Sequence, residues 1–400
     1  MKHALFLEPV DAWSFRDGKP FEVGEAFEAR SLFPPHPRTV LGCLRTALLR
    51  RWCPEPDRYA GRARPGACPE CGAGPCRALP LVGPPDGVPP FEIGPPLLAR
   101  REGRRAEVYY PVPRDLVCLD AGGGSGPKGG PGGTRTGLLV PLVPPSGASH
   151  CLGGLGPIGL AGPERVEEPE ECLRFISRRA LEACLAGADP PPDSLGDRAP
   201  GFVREPRIGI GIDAGTRAAR EGRLYLRDVV RLEDGAGLLV ATSEELGLDM
   251  DVARLGGDGR MARLVAVEFP GWPSRPEVAT RLKVYLAAPT WFRGGAGGSA
   301  GWYPGWLDPE RLEGIPPGCQ ARVRLVGAAM GTLVPVGGWN LATQQPREIQ
   351  WLVPAGSVFF FEAESAGEAR TAADAIHGRP LCDDEVMARA GFGLAFVGRW

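Results

Sequence analysis

The sequence predicts an α+β protein made of short strands, a few amphipathic helices and long irregular connections. Three observations carry that expectation. Val40, Leu41, Leu44, Ala47 and Leu48 recur at helical spacing. Short β-branched and aromatic runs such as Leu238 to Thr242 and Arg281 to Leu286 sit between turn residues. The chain holds 58 glycines and 44 prolines, about a quarter of its residues, which breaks it into short elements. A length of 400 residues with 43% apolar content is enough for two or three cores. A second unit is expected to begin near residue 235, giving domains 1–235 and 236–400.

The elements follow in order. Leu5 to Glu8 read as a first strand. Trp13 to Phe15 and Phe21 to Val23 flank Asp17-Gly18, a hairpin-turn pair bracketed by Arg16 and Lys19. Prolines at 34, 35 and 37 give a stiff lead-in to a helix, with Pro37 suited to its first turn. Arg38, Gly42 and Arg45 fall opposite the apolar face, and Arg38 and Arg45 project within about 20° of each other. A glycine between two arginines lets a backbone approach, whether nucleic acid or protein; an ordinary solvated basic face gives the same pattern. Glu164 to Ala186 read as a second helix, with acidic residues first, arginines after, and Gly187 as its stop. Ile208 to Asp213 and Arg223 to Leu226 read as a strand and its return. Thr216, Arg217, Arg220 and Gly222 lie at the basic tip between them, a common phosphate contact and a common solvated turn. In the second unit, Leu238 to Thr242, Arg263 to Phe269, Arg281 to Leu286 and Ala321 to Val326 read as strands. Ser365-Ala-Gly-Glu368 forms a capping box that opens a helix. Gly391 suits the C-cap of a helix over Val386 to Arg389. Gly393 and Gly398 have no such role and suggest a backbone that passes close to something and offers N–H groups.

Composition narrows the chemistry. The net charge is −2, so any nucleic-acid site is a local patch. The lysines are Lys2, Lys19, Lys128 and Lys283; the other basic residues are arginine, which forks phosphates and stacks on bases. No apolar run reaches the length of a membrane span and no leader precedes residue 20, so a cytoplasmic protein is expected. Lys128 is followed by two glycines, not by Ser or Thr, so the glycine tract at 121–133 is no phosphate loop. The stretch 120–163 reads as an insertion loop. Residues 53–78 form another, holding Cys53, Cys68, Cys71 and Cys76. Cys68-Pro-Glu-Cys71 has the spacing of a zinc knuckle, which Cys53 and Cys76 could complete; unused thiols are the alternative. Trp302, Trp306 and Trp339 adjoin glycines and could stack on bases or plug loop-to-core gaps.

Four stretches together resemble one family. They are Trp13 to Arg50, Ile210 to Tyr225, Gly337 to Phe361 with its VPAGSV run, and Ala390 to Trp400 with its GFG tail. They look like the third subunit of the type III-B CRISPR (Cmr) effector complex, a member of the RAMP superfamily. The resemblance implies two ferredoxin-like (RRM-like) β-α-β-β-α-β domains with long Gly/Pro-rich insertions. It implies a non-catalytic antiviral role: holding the 5′ repeat-derived handle of the guide RNA, and docking on the large signalling subunit and the backbone subunits. The residues it places near RNA are Arg16, Lys19, His36, Arg38, Gly42, Arg45, Arg217, Arg220, Gly391, Gly393 and Gly398. RNA recognition of this kind combines splayed bases with phosphates held by arginine and backbone amides.

Two rivals remain. One is an endoribonuclease of the same superfamily that processes guide-RNA precursors, with His36 as general acid or base toward the ribose 2′-OH. The other is a scaffold that contacts only protein, which suits the near-neutral charge but leaves the glycine tail unexplained.

Overall fold

The computed structural model describes residues 1–16, 28–29, 31–56, 59, 76, 78–84, 87–119, 135–142, 155–160, 166–167, 174–191, 194, 199–213, 215–295, 301–340 and 345–400. Its principal elements, in chain order, are β1 (His3–Pro9), α1 (Pro37–Trp52), β2 (Leu97–Glu102), α2 (Arg178–Leu185), β3 (Phe202–Ile212), β4 (Ala219–Leu232), β5 (Ala236–Thr242), β6 (Val252–Arg254) and β7 (Met261–Val267). There follow β8 (Arg281–Leu286), β9 (Val323–Ala329), β10 (Val358–Ala363), α3 (Ala366–Ile376), α4 (Glu385–Arg389) and β11 (Leu394–Gly398). The protein is mixed α/β, rich in sheet and poor in helix.

The chain divides into two interleaved units. Unit 1 comprises Met1–Ala106, Pro200–Pro270 and Pro335–Gln350; unit 2 comprises Glu107–Ala199, Gly271–Val334 and Trp351–Trp400. The expected division at 235 therefore falls inside unit 1. Strand β5 begins at Ala236 and pairs with β1, Leu5 opposite Val240. Strand β1 also pairs with β7, Phe6 opposite Val265. A local break in composition gives no warning that strands so far apart in sequence share a sheet.

In unit 1 the strands run β2-β5-β1-β7-β6. Central strand β1 has a neighbour on each side, and Ala4, Leu5, Phe6 and Leu7 are all buried. Helix α1 starts at Pro37 as its lead-in dictates and buries Val40, Leu41, Leu44, Leu48 and Leu49. It packs against β6. Strands β3 and β4 form a separate long hairpin, Phe202 opposite Leu232 and Ile210 opposite Leu224.

In unit 2 the strands run β9-β10-β8-β11, with Glu313–Gly314 and Arg379–Pro380 at the edges. Alternation on β8 sorts its side chains onto two faces. Leu282, Val284 and Leu286 join the core with Phe359, Phe361, Ala369, Ala372 and Ala373. On the opposite face Lys283 pairs with Asp115 at 2.5 Å, with side-chain exposures of 3% and 0%. Helix α3 opens at Ser365, whose hydroxyl accepts the Glu368 N–H at 3.2 Å, the cap that the sequence predicts. Gly378 follows its C-terminus with φ 72°.

One sequence expectation about a helix is corrected. Glu164 to Ala186 is not one helix: Val166–Glu167 and Phe175–Ser177 are strands, and α2 begins only at Arg178. The Ser177 hydroxyl accepts the Ala180 N–H at 3.3 Å and caps the helix there. Among the described residues no helix lies between β5 and β7 in unit 1, or between β8 and β9 in unit 2. The Asp17-Gly18 hairpin turn, the knuckle at 68–71 and the glycine tract at 121–133 lie outside the described residues.

Candidate nucleic-acid interface

The lead-in to α1 is stitched to the base of the β3/β4 hairpin, both within unit 1. Ser31 donates its hydroxyl to the Asp228 carbonyl at 2.6 Å and accepts the Phe15 N–H at 3.2 Å. The Arg204 guanidinium donates to the Ser31 carbonyl. The Phe33 and Phe202 rings lie 4.8 Å apart, and Arg16 bridges Ser31. These contacts place the N-terminus of α1, with His36 and Arg38, beside the root of the hairpin.

Ion pairs surround that root. Arg260 and Arg231 both pair with Asp11, at 2.6 and 3.2 Å. Arg231 and Arg207 both pair with Glu205, and Arg227 pairs with Asp258. At the tip, Asp213 Oδ1 accepts N–H groups from Gly215 and Thr216, each at 3.0 Å. Arg217 has φ 55° and is exposed. Among the described residues its guanidinium has no partner, so the turn presents an exposed cation at the far end of the ribbon. One face of β3 carries Ile208, Ile210 and Ile212, exposed by 73%, 51% and 60%. Alternation in RIGIGI was a legible signal for that stripe, yet only the fold shows that none of the described residues of unit 1 covers it.

The other sequence-predicted residues divide. Gly42 is exposed, and a Cβ there would meet nothing within 4 Å. The space around Gly42 itself is open among the described residues. Arg45 is placed otherwise. It donates to the carbonyls of Val82, Gly87 and Pro84 at 2.9, 3.3 and 2.5 Å. Its fork clamps a loop and is not presented to a phosphate. His36 is the N-cap residue of α1, and its Nε2 is buried with no hydrogen-bond partner among the described residues. Burial, with Arg38 close by, pushes its pKa down to about 4. The ring is therefore a neutral imidazole at pH 7, with no imidazolium proton to offer as a general acid. The Arg220 backbone lies on β4; Lys19 lies outside the described residues.

The glycine tail sits in unit 2, whereas the residues above belong to unit 1. Its amides are taken up internally. Gly391 donates to Ala388 at 3.1 Å, and Gly393 to Pro289 at 2.9 Å with φ 76°. A Cβ at Gly398 would lie 2.5 Å from the Leu185 carbonyl, and Gly398 sits opposite Lys283 in the sheet. The close approach read from the sequence is real, but it is made to this chain's own backbone. That corrects the expectation of free amides at 393 and 398.

Two of the three loop tryptophans are packed. Trp302 meets Tyr303 edge-on at 4.8 Å, and Trp306 stacks on Phe361 at 6.0 Å; Trp339 is exposed. In the cysteine loop, Cys53 and Cys76 both lie within electrostatic reach of Tyr59, whose hydroxyl is pushed up by burial. Cys68 and Cys71 lie outside the described residues. Among the described residues no cluster of three or more His, Cys, Asp or Glu side chains stands ready for a metal. No helix among them is long and apolar enough to cross a membrane.

Comparison with known proteins fixes the class. Residues 5–400 match the family model described as CRISPR-associated protein (Cas_Cmr3). The chain is thus a CRISPR-associated protein. Within that class it belongs to the Cas_Cmr3 family, the type III-B effector subunit that the four sequence blocks resemble. No curated protein matches it. Among solved structures, it is similar to a chain of the type III-B Cmr-beta bound to cognate target RNA and AMPPnP, with TM-score 0.48 and 15% identity, covering 89% of this chain and 86% of that one. A second chain, of Cmr-beta bound to cognate target RNA, gives TM-score 0.47 and 14% identity over 89% and 86%. A chain of the Csm3-Csm4 subcomplex in the type III-A interference complex gives TM-score 0.36 and 9% identity over 90% and 94%.

Proposed function

We propose that the protein is a non-catalytic subunit of a type III-B effector that binds the 5′ handle of the guide RNA and docks on the large signalling subunit and the backbone subunits. The observation that carries this reading is the family match over nearly the whole chain. The hairpin adds to it: a long ribbon with an exposed arginine at its tip suits a phosphate contact, and its isoleucine stripe suits a protein or base neighbour. The fold of each unit is read as a ferredoxin-like half that lacks one of its two helices. The handle contact is assigned to unit 1, around Arg16, Arg38, Gly42 and Arg217, and not to the glycine amides. His36 is read as a structural residue, because its Nε2 is buried at the N-cap of α1, out of reach of a 2′-OH, and its low pKa removes the imidazolium that a general acid needs. The working compartment is the cytoplasm.

Cys53 and Cys76 would supply two thiolates to a structural zinc completed by Cys68 and Cys71. Metal analysis of the purified chain should find stoichiometric zinc that is lost in Cys53→Ser; metal-free wild-type protein would remove the zinc.

The main test is co-purification with the other complex subunits, followed by sequencing of bound RNA. Short RNAs sharing one 5′ end are expected. Random cellular RNA, or none, would contradict the reading. Cleavage of repeat RNA that disappears in His36→Ala would favour the nuclease instead.

A further inference from the structure

The sheet of unit 1 ends at β6, whose outer side carries no strand among the described residues. Its register with β7 is fixed by two bonds: Leu264 N–H to the Asp251 carbonyl at 2.7 Å, and Leu255 N–H to the Arg260 carbonyl at 2.8 Å. In an antiparallel ladder the bonded residues alternate, so Asp251, Ala253 and Leu255 face β7. Val252 and Arg254 must then turn their N–H and C=O groups outward, and neither has a backbone partner among the described residues.

The edge is short and carries the charged Arg254, but it has no lysine, proline or bulge. Natural edges are usually closed by lysine, proline, a bulge or a covering element. Here Ala253 is buried, while Val252 is 53% and Met250 64% exposed. Met250 also has φ 62°, a conformation unfavourable for a residue with a long side chain. On the helix side, Arg51 pairs with Asp251 at 3.0 Å and fixes the last turn of α1 to the start of β6. The next residue, Trp52, is 53% exposed. Arg50 and Arg254 are exposed and carry no ion pair among the described residues.

We propose that β6 and the C-terminal turn of α1 form a docking edge for an extended segment of another protein. The segment adds as a strand beside Val252 and Arg254. Because strand side chains alternate between faces, its residues on one side meet Trp52 and those on the other meet Val252. The exposed Arg50 and Arg254 select acidic residues at its flanks. An apolar strand edge offers little to a nucleic-acid backbone, whose phosphates need only the arginines. The inference rests on the chain working in an assembly, and not on where the RNA lies.

The test uses the full chain, alone and assembled with its co-expressed effector subunits. Amide hydrogen exchange at residues 250–255 should slow on assembly, and should not slow with guide RNA alone. Val252→Lys and Trp52→Ala should each weaken assembly about 10-fold, while the Tm of the free chain and its RNA binding stay unchanged. Assembly as tight as wild type in both variants would overturn the proposal. So would protection produced by RNA alone, or protection in the free chain that rises with its concentration, which would mean a second copy. Failure of the wild-type chain to assemble at all would sink the proposed function, and this edge with it.

Discussion

Arg45 and Arg217 show how differently two arginines from equally basic stretches behave once folded. Arg45 closes three backbone carbonyls with its fork, whereas Arg217 projects from a tip. Arg45→Ala should therefore destabilise the chain by about 1–3 kcal/mol in urea unfolding, with RNA binding reduced only in step with folding. Arg217→Ala should leave the unfolding midpoint alone and weaken RNA binding. The helical wheel correctly set Arg45 off the apolar face. It could not reveal the loop at 82–87 that folds over it.

The histidines make a second residue-scale prediction. His377 accepts the Val397 N–H at Nδ1, at 3.1 Å, so Nε2–H donates to the Pro273 carbonyl at 2.8 Å. Burial lowers its pKa, as it lowers that of His36 to about 4. Both rings are held neutral in the fold, so the unfolded chain binds protons that the folded chain does not. For His36 this makes the fold most stable above pH 6.5 and progressively less stable as pH falls from there toward about 4; His377 acts in the same direction. Urea midpoints should drop between pH 8 and pH 5. His36→Leu should flatten that drop by up to about 2 kcal/mol, at ~1.4 kcal/mol per pKa unit. An unchanged slope would show that His36 is not the neutral, buried group described.

At the scale of elements, the strongest local signals held. Helix α1 with its proline lead-in, α3 with the Ser365 cap, and the β3/β4 hairpin were all legible, because each is set by neighbours within a few residues. The expected helix over 164–186 failed for a related reason. Its apolar spacing was compatible with a helix, but Ser177 is a better cap than a mid-helix residue, and Ile176 is buried on a strand instead. Strand β8 carries a feature that periodicity could not show, a lysine in a core strand. Its partner Asp115 is fully buried, with Oδ1 lacking a hydrogen bond among the described residues. Lys283→Ala should cost about 3–5 kcal/mol by stranding that carboxylate, whereas Lys283→Met with Asp115→Leu should recover most of the loss. Equal stability of the single and double variants would show that the pair contributes little.

At the scale of the whole molecule, the chain builds each unit from three separated segments. Such pairing is dictated by long-range contacts, and local pattern is silent about it. A division at 235 would strip β1 of both its neighbours, since β5 and β7 lie beyond that point. The fragment 1–235 should therefore show no cooperative unfolding transition by circular dichroism, and a sharp transition would contradict the topology. The candidate site was half legible in the same sense. The hairpin and the α1 lead-in come together in one unit, while the glycine tail belongs to the other and uses its amides at home.

The central claim is that unit 1 holds the handle of a guide RNA without cutting it. Photo-crosslinking of the assembled effector, followed by peptide mapping, tests it most directly. Cross-links from the 5′ end of intact guide RNA should fall on residues 213–218 and on the start of α1. Cross-links confined to unit 2, or guide RNA cleaved at the site of contact, would contradict it.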